Sequence, residues 1–322
     1  MAQNSVLSEK LSPEPFHVEN GKKKRKKIEP TRVWFMIAFL AIPTINFCVF
    51  FIYTNIDAFF MSFQKPTYVD GSLTLEWTLE QYQKVFSDFM NNGILWLALK
   101  NTLSYYVVGT FITFPLSVLL TYFIYKQIAG FRIFRFIFYL PTIITSAAMA
   151  MLVKYSLQTG GPVANIVESF GGTWTYPYTD PTRAHPTMLL QGVLFGLGGS
   201  LVLYGGAMNA INKEMLEAGE LDGCTWFTEL IYLVIPSIWP TMSTSLILGL
   251  AGILGSGGSI LVYTKGSYNT MTLSFMLYDL VAGISGTKDL HYASAVGMVM
   301  TLMIFPVVMF VRWYIYGRKE KD

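Results

Sequence analysis

The chain has 322 residues, of which 52% are apolar and only 13% are charged, whereas a soluble domain usually carries about 25% charged residues. Its mean hydropathy is +0.44, and the formal net charge is +3. Several runs of about 20 or more residues are almost uncharged, which is the length that a helix needs to cross a bilayer. These features exclude a soluble protein and predict an integral membrane protein, and we expect no nucleic-acid partner.

The N-terminal 32 residues are polar and contain the basic run KKKRKK. We assign residues 1–32 to a cytoplasmic tail that sets the orientation of the chain; contact with anionic membrane lipid is the alternative, at about 1 kcal/mol per basic residue. The first apolar run starts near Trp34 and is too long for a signal peptide. We assign residues 33–95 to the first transmembrane helix and its outer loop.

Uncharged runs predict an all-α membrane protein with six transmembrane helices. Lys and Arg concentrate in the tail, in the 125–135 connection and in residues 317–322, so both termini are expected in the cytoplasm. Two outer segments are distinctive: 77–89 predicts an amphipathic helix at the interface, and the proline-rich 177–186 predicts irregular structure. The predicted spans are 33–62, 96–124, 136–157, 188–210, 238–262 and 291–316.

Small residues mark the faces on which membrane helices approach each other. Gly192 and Gly196 form a GxxxG pair in the fourth predicted span, a spacing that permits close backbone contact between helices in lipid. The run GSGGS (255–259) lacks the Gly-Lys-Ser/Thr of a phosphate loop. We expect this run to unwind or kink the fifth helix.

Catalytic and metal-binding patterns are missing from the sequence. Cys48 and Cys224 suggest neither a disulfide framework nor a metal site, and His17, His185 and His291 lack ligand spacing. The spans contain no paired carboxylates and no nucleophile–base constellation. We therefore expect no enzymatic activity, no metal and no cofactor.

The segment 211–237, called the acidic loop below, interrupts two apolar runs with carboxylates and glycines. Asn212 can cap a short helix, and Asp222-Gly223 ends it because Gly223 can adopt the left-handed conformation of a helix C-terminus. Either Thr225 or Asp222 can then cap a second helix. We expect a short helix that stands clear of the membrane.

Pro236 is expected to change the chain direction where the acidic loop enters the fifth span. From the residues alone two interpretations of the loop are equally supported. It is an ordinary connector with solvated charges, or a docking helix in which Ala218 and Gly219 permit close approach and Glu217 offers a charge to a partner arginine.

The stretch EAGELDGCTWFTELIYLVIP (217–236) resembles the EAA loop of ABC-importer permease subunits. That pattern reads Glu-Ala-Ala, two variable residues, Asp-Gly-Ala, and a proline about a dozen residues later. Gly219 and Cys224 stand where the family usually has alanine. The matching residues are Glu217, Ala218, Gly219, Asp222, Gly223 and Pro236.

Other stretches resemble further elements of the same family. They are LKNTLSYY (99–106), RFIFYLPTI (135–143), GGPVANIV (160–167) and HYASAVGM (291–298). Together with the loop they cover about residues 75–316 and are most similar to the carbohydrate-uptake group, with permeases for complex-polysaccharide fragments as the nearest type.

The resemblance implies the type I ABC-importer permease architecture, with a core domain at 96–316 that contains the acidic loop as its ATPase-coupling site. It implies a bacterial plasma membrane location and four kinds of partner. These are a second permease, expected to form a heterodimer; a dimer of cytoplasmic ATP-binding-cassette ATPases, on which ATP is hydrolysed; an extracytoplasmic solute-binding protein; and a carbohydrate substrate.

Polar residues at membrane depth are candidates for the substrate pathway. Gln191, Tyr204, Asn209 and Ser256 are each expected either to line a cavity or, more often, to form interhelical hydrogen bonds. Lys154 is expected to extend towards the interface rather than contact substrate.

A self-contained secondary transporter or channel is the alternative function, but it would be expected to carry intramembrane acids, which the spans almost lack. A receptor or scaffold would leave the acidic loop unexplained.

Overall fold

The computed structural model describes residues 30–69, 72–91, 93–255, 259–286 and 288–316. Apart from residues 30–32, the predicted N-terminal tail lies outside the described residues, as do the predicted C-terminal segment 317–322 and Ser256. The helices are α1 (Pro30–Phe47), α2 (Thr54–Ser62), α3 (Glu80–Met90), α4 (Ile94–Val108), α5 (Phe114–Tyr125), α6 (Phe131–Ile143), α7 (Ser146–Leu157), α8 (Pro162–Ser169), α9 (Ala184–Asn209), α10 (Lys213–Leu221), α11 (Trp226–Glu229), α12 (Ile235–Ala251), α13 (Ile260–Tyr263), α14 (Leu273–Ala282) and α15 (Leu290–Tyr316).

Short irregular helical turns join or follow several of these helices. π-helical turns connect α1 to α2, α4 to α5 and α11 to α12, so each pair forms one longer helix. They span Cys48–Tyr53, Gly109–Thr113 and Leu230–Val234. 3₁₀ turns lie at Pro177–Thr179 and Ile253–Gly255.

The described residues contain five helices that are long and apolar enough to cross a membrane, or six if one bent pair counts as a single span. This confirms the predicted all-α membrane fold. The five are Trp34–Ser62, Ile94–Tyr125, Ala184–Asn209, Trp226–Ala251 and Leu290–Tyr316.

The third predicted span, 136–157, is wrong as a single straight helix. Phe131–Ile143 and Ser146–Ser169 meet at an angle of 108°. Ile144 and Thr145 have extended backbone between them, and the Thr145 side chain caps α7 by accepting a hydrogen bond from the Ala148 amide. A capping side chain starts a new helix rather than continuing the old one.

The fifth predicted span is displaced towards the N-terminus. It was expected at 238–262, but the long helix covers Trp226–Ala251 and is followed by a 3₁₀ turn and the short helix α13. The long helix therefore ends before the glycine run. Residues 256–258 of that run lie outside the described part of the chain, so its expected unwinding stays a prediction.

The chain divides into two compact units at Asn55/Ile56. In the first unit the described side chains are largely exposed and apolar, as suits a helix surrounded by lipid; Phe47 and Phe51 stack with ring centroids 4.9 Å apart. The second unit carries two hydrophobic clusters. One cluster includes Tyr178, Met188, Tyr263, Leu273 and Val296, and the other includes Tyr122, Tyr204, Met208, Val234 and Ile238.

A two-stranded antiparallel hairpin precedes α3 and was not predicted. Strands β1 (Gln64–Val69) and β2 (Ser72–Trp77) pair with Gln64 opposite Trp77. The Asp-Gly dipeptide between the strands is a strong hairpin signal in the sequence. The amphipathic helix predicted at 77–89 is confirmed as α3, which buries Gln81 and Val85.

Glycines of α9 allow close helix contact, though not at both predicted positions. A Cβ at Gly198 would lie 2.2 Å from the Phe138 carbonyl oxygen, and one at Gly196 would lie 3.1 Å from Thr113 Cγ2. No atom would lie within 4 Å of a Cβ at Gly192, which instead lines a cavity. The predicted Gly192–Gly196 pair is therefore only half correct, and Gly198 makes the closest backbone approach of the three.

Candidate functional site

The acidic loop begins with a well-capped helix, α10. Asn212 Oδ1 accepts a hydrogen bond from the Glu214 amide at 3.0 Å, as predicted. At the other end Gly223 has φ of +82°. The Cys224 amide donates to the Gly219 carbonyl at 3.0 Å and the Gly223 amide to the Glu220 carbonyl at 3.1 Å. This is the Schellman arrangement, in which a left-handed residue satisfies the last carbonyls of a helix.

The second helix of the acidic loop is capped by Thr225 and not by Asp222. Thr225 Oγ1 accepts a hydrogen bond from the Thr228 amide at 3.4 Å, whereas Asp222 terminates α10. The expected change of direction at Pro236 is wrong, because the helix continues through it. A π-helical turn, Leu230–Val234, ends two residues before the proline.

The two faces of α10 differ sharply in exposure. Leu216 and Gly219 are buried, and a Cβ at Gly219 would lie 2.6 Å from Leu233 Cδ1. Glu217 and Ala218 are exposed, and Leu221 is 90% exposed. The expectation that Gly219 offers its backbone to a partner is therefore wrong: it packs inside the chain, and Ala218 is the small residue that faces outward.

An ion-pair network that the sequence analysis missed lies beneath α10. Lys126, immediately after α5, has its Nζ atom 2.9 Å from Glu220 Oε1 and 2.9 Å from Glu229 Oε1. The Glu220 side chain is 61% exposed and that of Glu229 only 4%. A lone acid within the apolar run WFTELIYLV (226–234) is the signal that could have revealed the site, because buried charges are costly unless paired.

The environment of Lys126 favours its charged form. Partial burial by itself lowers the pKa of Lys126, but its contacts with the carboxylates of Glu220 and Glu229 outweigh that effect, so the pKa lies above its ordinary value. Glu229 Oε1 accepts no aligned hydrogen bond, so its 2.9 Å contact with the ammonium is an electrostatic one. Lys126 therefore stays positively charged between two carboxylates.

The candidate pathway residue Gln191 lies in a cavity of about 420 Å³, whose lining also includes Tyr105, Met188 and Tyr263. Tyr178 Oη donates to Gln191 Oε1 at 3.1 Å, and Gln191 Nε2 donates to Tyr263 Oη. Gln191 thus fulfils both expectations at once: it lines a cavity and forms hydrogen bonds between elements.

Tyr204 and Asn209 line two other cavities along α9. Tyr204 lies in one of about 410 Å³ and donates to Ser245 Oγ at 3.0 Å. Asn209 lines one of about 300 Å³ together with Arg135. Tyr105, which is absent from the predicted set, and Gly192 belong to the linings of both the Gln191 and the Tyr204 cavities.

Lys154 forms a hydrogen bond within the protein, and its expected extension towards the interface stays a prediction. Its side chain is half-buried, and Nζ donates to the Val262 carbonyl at 2.9 Å. The bond ties α7 to α13. Ser256, the remaining pathway candidate, lies outside the described residues, and the cavities bring together none of the other candidates in one lining.

Comparisons with known proteins show what the chain resembles. No family model matches the sequence. The lactose transport system permease protein LacF of Rhizobium radiobacter is 25% identical over 231 residues, covering 70% of this chain and 76% of that protein. The arabinooligosaccharides transport system permease protein AraP of Halalkalibacterium halodurans is 25% identical over 288 residues, covering 86% of each.

Among solved structures, a bacterial ABC transporter involved in the import of the acidic polysaccharide alginate matches with a TM-score of 0.74 and 25% identity, covering 89% of this chain and 96% of that chain. The chain has the fold of an ABC-importer permease. The resemblance stated from the sequence is thereby confirmed, and the chain is a multi-pass membrane protein similar to transport permease subunits.

Proposed function

We propose that the permease forms, together with a second and different permease, the translocation path of an ATP-driven importer in the bacterial plasma membrane. An extracytoplasmic binding protein delivers a sugar or oligosaccharide to this path, and a dimer of cytoplasmic ATPases drives it. The acidic loop is the coupling site, through Glu217, Ala218, Gly219, Asp222, Gly223 and Pro236. Gly219 and Pro236 act through the fold of the loop, whereas Glu217 and Ala218 touch the ATPase.

The exposed face of α10 carries this proposal. Glu217 and Ala218 are exposed beside Leu221, which is 90% exposed, while Leu216 and Gly219 anchor the opposite face. These three exposed residues lie on one helix and suit a groove on a partner protein. The carboxylate of Glu217 would pair with an arginine of that groove, and the exposed Leu221 would enter an apolar pocket beside it. Closure of the ATPase dimer would move α10 as a lever and shift the permease between two states.

A carbohydrate substrate is supported by the relatives and by the chemistry of the cavities. The relatives are named for lactose and arabinooligosaccharides, and the matched transporter for alginate. The cavity at Gln191 combines an amide with the rings of Tyr105 and Tyr263. Ligand sites typically combine apolar and aromatic walls with few well-placed polar groups, and sugars present both ring faces and hydroxyls to such walls.

Glu217→Ala and Gly223→Pro test the coupling role. We expect both variants to abolish uptake in cells and to reduce the amount of ATPase that co-purifies. Glu217→Ala removes the charge offered to the ATPase, and Gly223→Pro disrupts the end of α10, because proline cannot adopt the φ of +82° found at Gly223. Glu168→Ala removes an exposed carboxylate of α8 and serves as the matched control with normal uptake. Normal transport in both loop variants would contradict the proposal, and solute movement by the purified permease alone would favour a secondary transporter.

The orientation has its own test. Leu221 is 90% and Phe170 is 88% exposed, and the proposed topology places them on opposite sides of the membrane. In a chain without Cys48 and Cys224, we expect a membrane-impermeant maleimide added to intact cells to label Phe170→Cys and to spare Leu221→Cys. The reverse pattern would place the acidic loop outside and would exclude contact with a cytoplasmic ATPase.

A further inference from the structure

Lys126 connects three segments of the second unit at a single atom. It directly follows α5, and its Nζ lies 2.9 Å from a carboxylate oxygen at the end of α10 and 2.9 Å from another in α11. α11 is the first turn of the long helix Trp226–Ala251. The ammonium therefore joins α10 to the ends of two spans, Ile94–Tyr125 and Trp226–Ala251.

The two carboxylates hold Lys126 in different ways. Glu220 is 61% exposed, so its attraction is screened by water and easily exchanged. Glu229 is 4% exposed, and its neighbour Leu230 belongs to the hydrophobic cluster with Tyr122 and Leu216. A carboxylate in such a place depends on its partner, because water cannot replace the lost charge.

Stability alone does not require this pair. Well-packed apolar residues of similar volume usually stabilise a core at least as well as a buried ion pair does. An ion pair differs in being directional: it holds its two segments in one arrangement and resists sliding to others. The rings of Phe123 and Trp226, whose centroids are 5.5 Å apart, also connect the two spans. Their packing is apolar, so it does not fix the segments in one arrangement as an ion pair does.

α10 packs directly on the span Trp226–Ala251, where a Cβ at Gly219 would lie 2.6 Å from Leu233 Cδ1. We infer that the ion pair between Lys126 and Glu229 is the joint that passes movement of α10 from this span to the span Ile94–Tyr125. Lys126 is then a positioning residue for coupling, and it does not touch the ATPase. Glu220 is an outer, exchangeable arm on Lys126 that water screens, and it is not part of this joint. This inference rests on the proposed coupling role of the acidic loop. It assigns a part in coupling to Lys126, which lies outside that loop.

The test uses the importer complex that co-purifies with the permease, reconstituted in liposomes with its binding protein. Three variants separate the contacts of Lys126: Lys126→Met, Lys126→Arg and Glu220→Gln. For Lys126→Met we expect normal co-purification of the ATPase, since the outer face of α10 is intact. Substrate transported per ATP hydrolysed should fall on the order of tenfold, within the usual range of coupling between two sites.

Lys126→Arg keeps the charge and should restore the transport-to-hydrolysis ratio to within about twofold, whereas a role in packing alone would not be rescued by charge. Glu220→Gln should also stay within about twofold, because the exposed arm is screened. Lys65→Met is the matched control: it removes another lysine ion pair, Lys65–Glu80 at 2.6 Å, far from the acidic loop in sequence.

A wild-type transport-to-hydrolysis ratio in folded Lys126→Met would overturn the inference. If that variant fails to fold, Lys126→Met combined with Glu229→Leu removes the unpaired charge and restores an apolar core; a fully coupled double variant would overturn it equally. Failure of the proposed function is a different result, namely a wild-type permease that retains no ATPase.

Discussion

Asn101 in α4 holds Met271, which lies 170 residues later in the chain. Asn101 Nδ2 donates to the carbonyl oxygens of Asn269 and Met271 at 2.7 and 2.8 Å. The neighbouring Thr102 Oγ1 accepts from the Leu273 amide at 3.0 Å. The Asn-Thr element thus fastens the segment that precedes α14, in which Lys265, Tyr268 and Asn269 have positive φ, a conformation that side-chain-bearing residues seldom adopt.

Asn101→Ala should therefore destabilise the protein. The carbonyls of Asn269 and Met271 lose their hydrogen-bond donor, which should lower the free energy of unfolding by about 1–3 kcal/mol. The segment with positive φ before α14 also loses the contact that holds it in place. We expect a lower thermal unfolding midpoint in detergent and faster proteolysis within residues 264–272. Asn91→Ala, which removes only an exposed side-chain bond to Ser87, is the control, and equal midpoints for the two variants would contradict this account.

Gly198→Ala should separate α9 from α6. The added methyl carbon would lie 2.2 Å from the Phe138 carbonyl oxygen and 2.5 Å from Thr142 Cγ2, and overpacking of this kind costs about 1–3 kcal/mol. The measurement is again the unfolding midpoint in detergent. Gly199→Ala, with nothing within 4 Å, should be neutral or slightly stabilising because alanine is the better helix former.

Gly219→Ala should be nearly neutral, in contrast to Gly198→Ala. The new methyl carbon would lie 2.6 Å from Leu233 Cδ1, the far end of a flexible side chain that can rotate away. The gain in helix propensity, up to about 1 kcal/mol, offsets that adjustment. Uptake and the unfolding midpoint should match the wild type. A loss as large as that of Gly198→Ala would show that Leu233 has no room to move.

The charge on Lys126 predicts how stability depends on pH. Its pKa is raised in the folded chain, so its contribution is fully present below the unfolded value of about 10.4 and is lost only as pH rises through the higher folded pKa. Lys126→Met should lower the free energy of unfolding by about 3 kcal/mol. That difference should be the same at about pH 7 and about pH 9 and should shrink only in more alkaline solution.

This comparison is made by denaturant unfolding of both proteins at each pH. Lys65→Met, which breaks an exposed pair, should change stability little at any pH. A difference between wild type and Lys126→Met that disappears between about pH 7 and about pH 9 would mean that Lys126 loses its proton in that range, against the raised pKa.

The helix ends of the acidic loop could be predicted from the sequence because they depend on local interactions. Asn212 and Gly223 act on amides and carbonyls within a few residues of themselves, so their roles at the two ends of α10 follow from position alone. For the second helix, position left Thr225 and Asp222 as alternative caps, and the structure selects Thr225. Position alone also reveals the long apolar runs, whose length against the bilayer predicts membrane helices. Burial did not follow from position: Gly219 and Ala218 are adjacent, yet Gly219 is buried and Ala218 is exposed.

The bend after Ile143 and the helix through Pro236 show the limits of local rules. Pro141 lies inside α6, which ends at Ile143, while Pro236 lies near the start of α12. The chain bends two residues after Pro141 but continues as a helix through Pro236, so the presence of a proline does not by itself tell where a helix ends. Lys154 likewise extends to a backbone carbonyl of α13, a partner 108 residues away that sequence position does not reveal.

The sequence by itself determined that the chain crosses a membrane, that a capped acidic helix lies between two apolar runs, and that the chain resembles ABC-importer permeases. These follow from residue type and spacing, which act over a few residues. Only the tertiary structure decided that Lys126 meets Glu229, that Asn101 holds Met271, and which glycines touch a neighbouring helix. Such contacts join residues far apart in the chain, and their energies depend on distance and burial, which the order of residues does not specify.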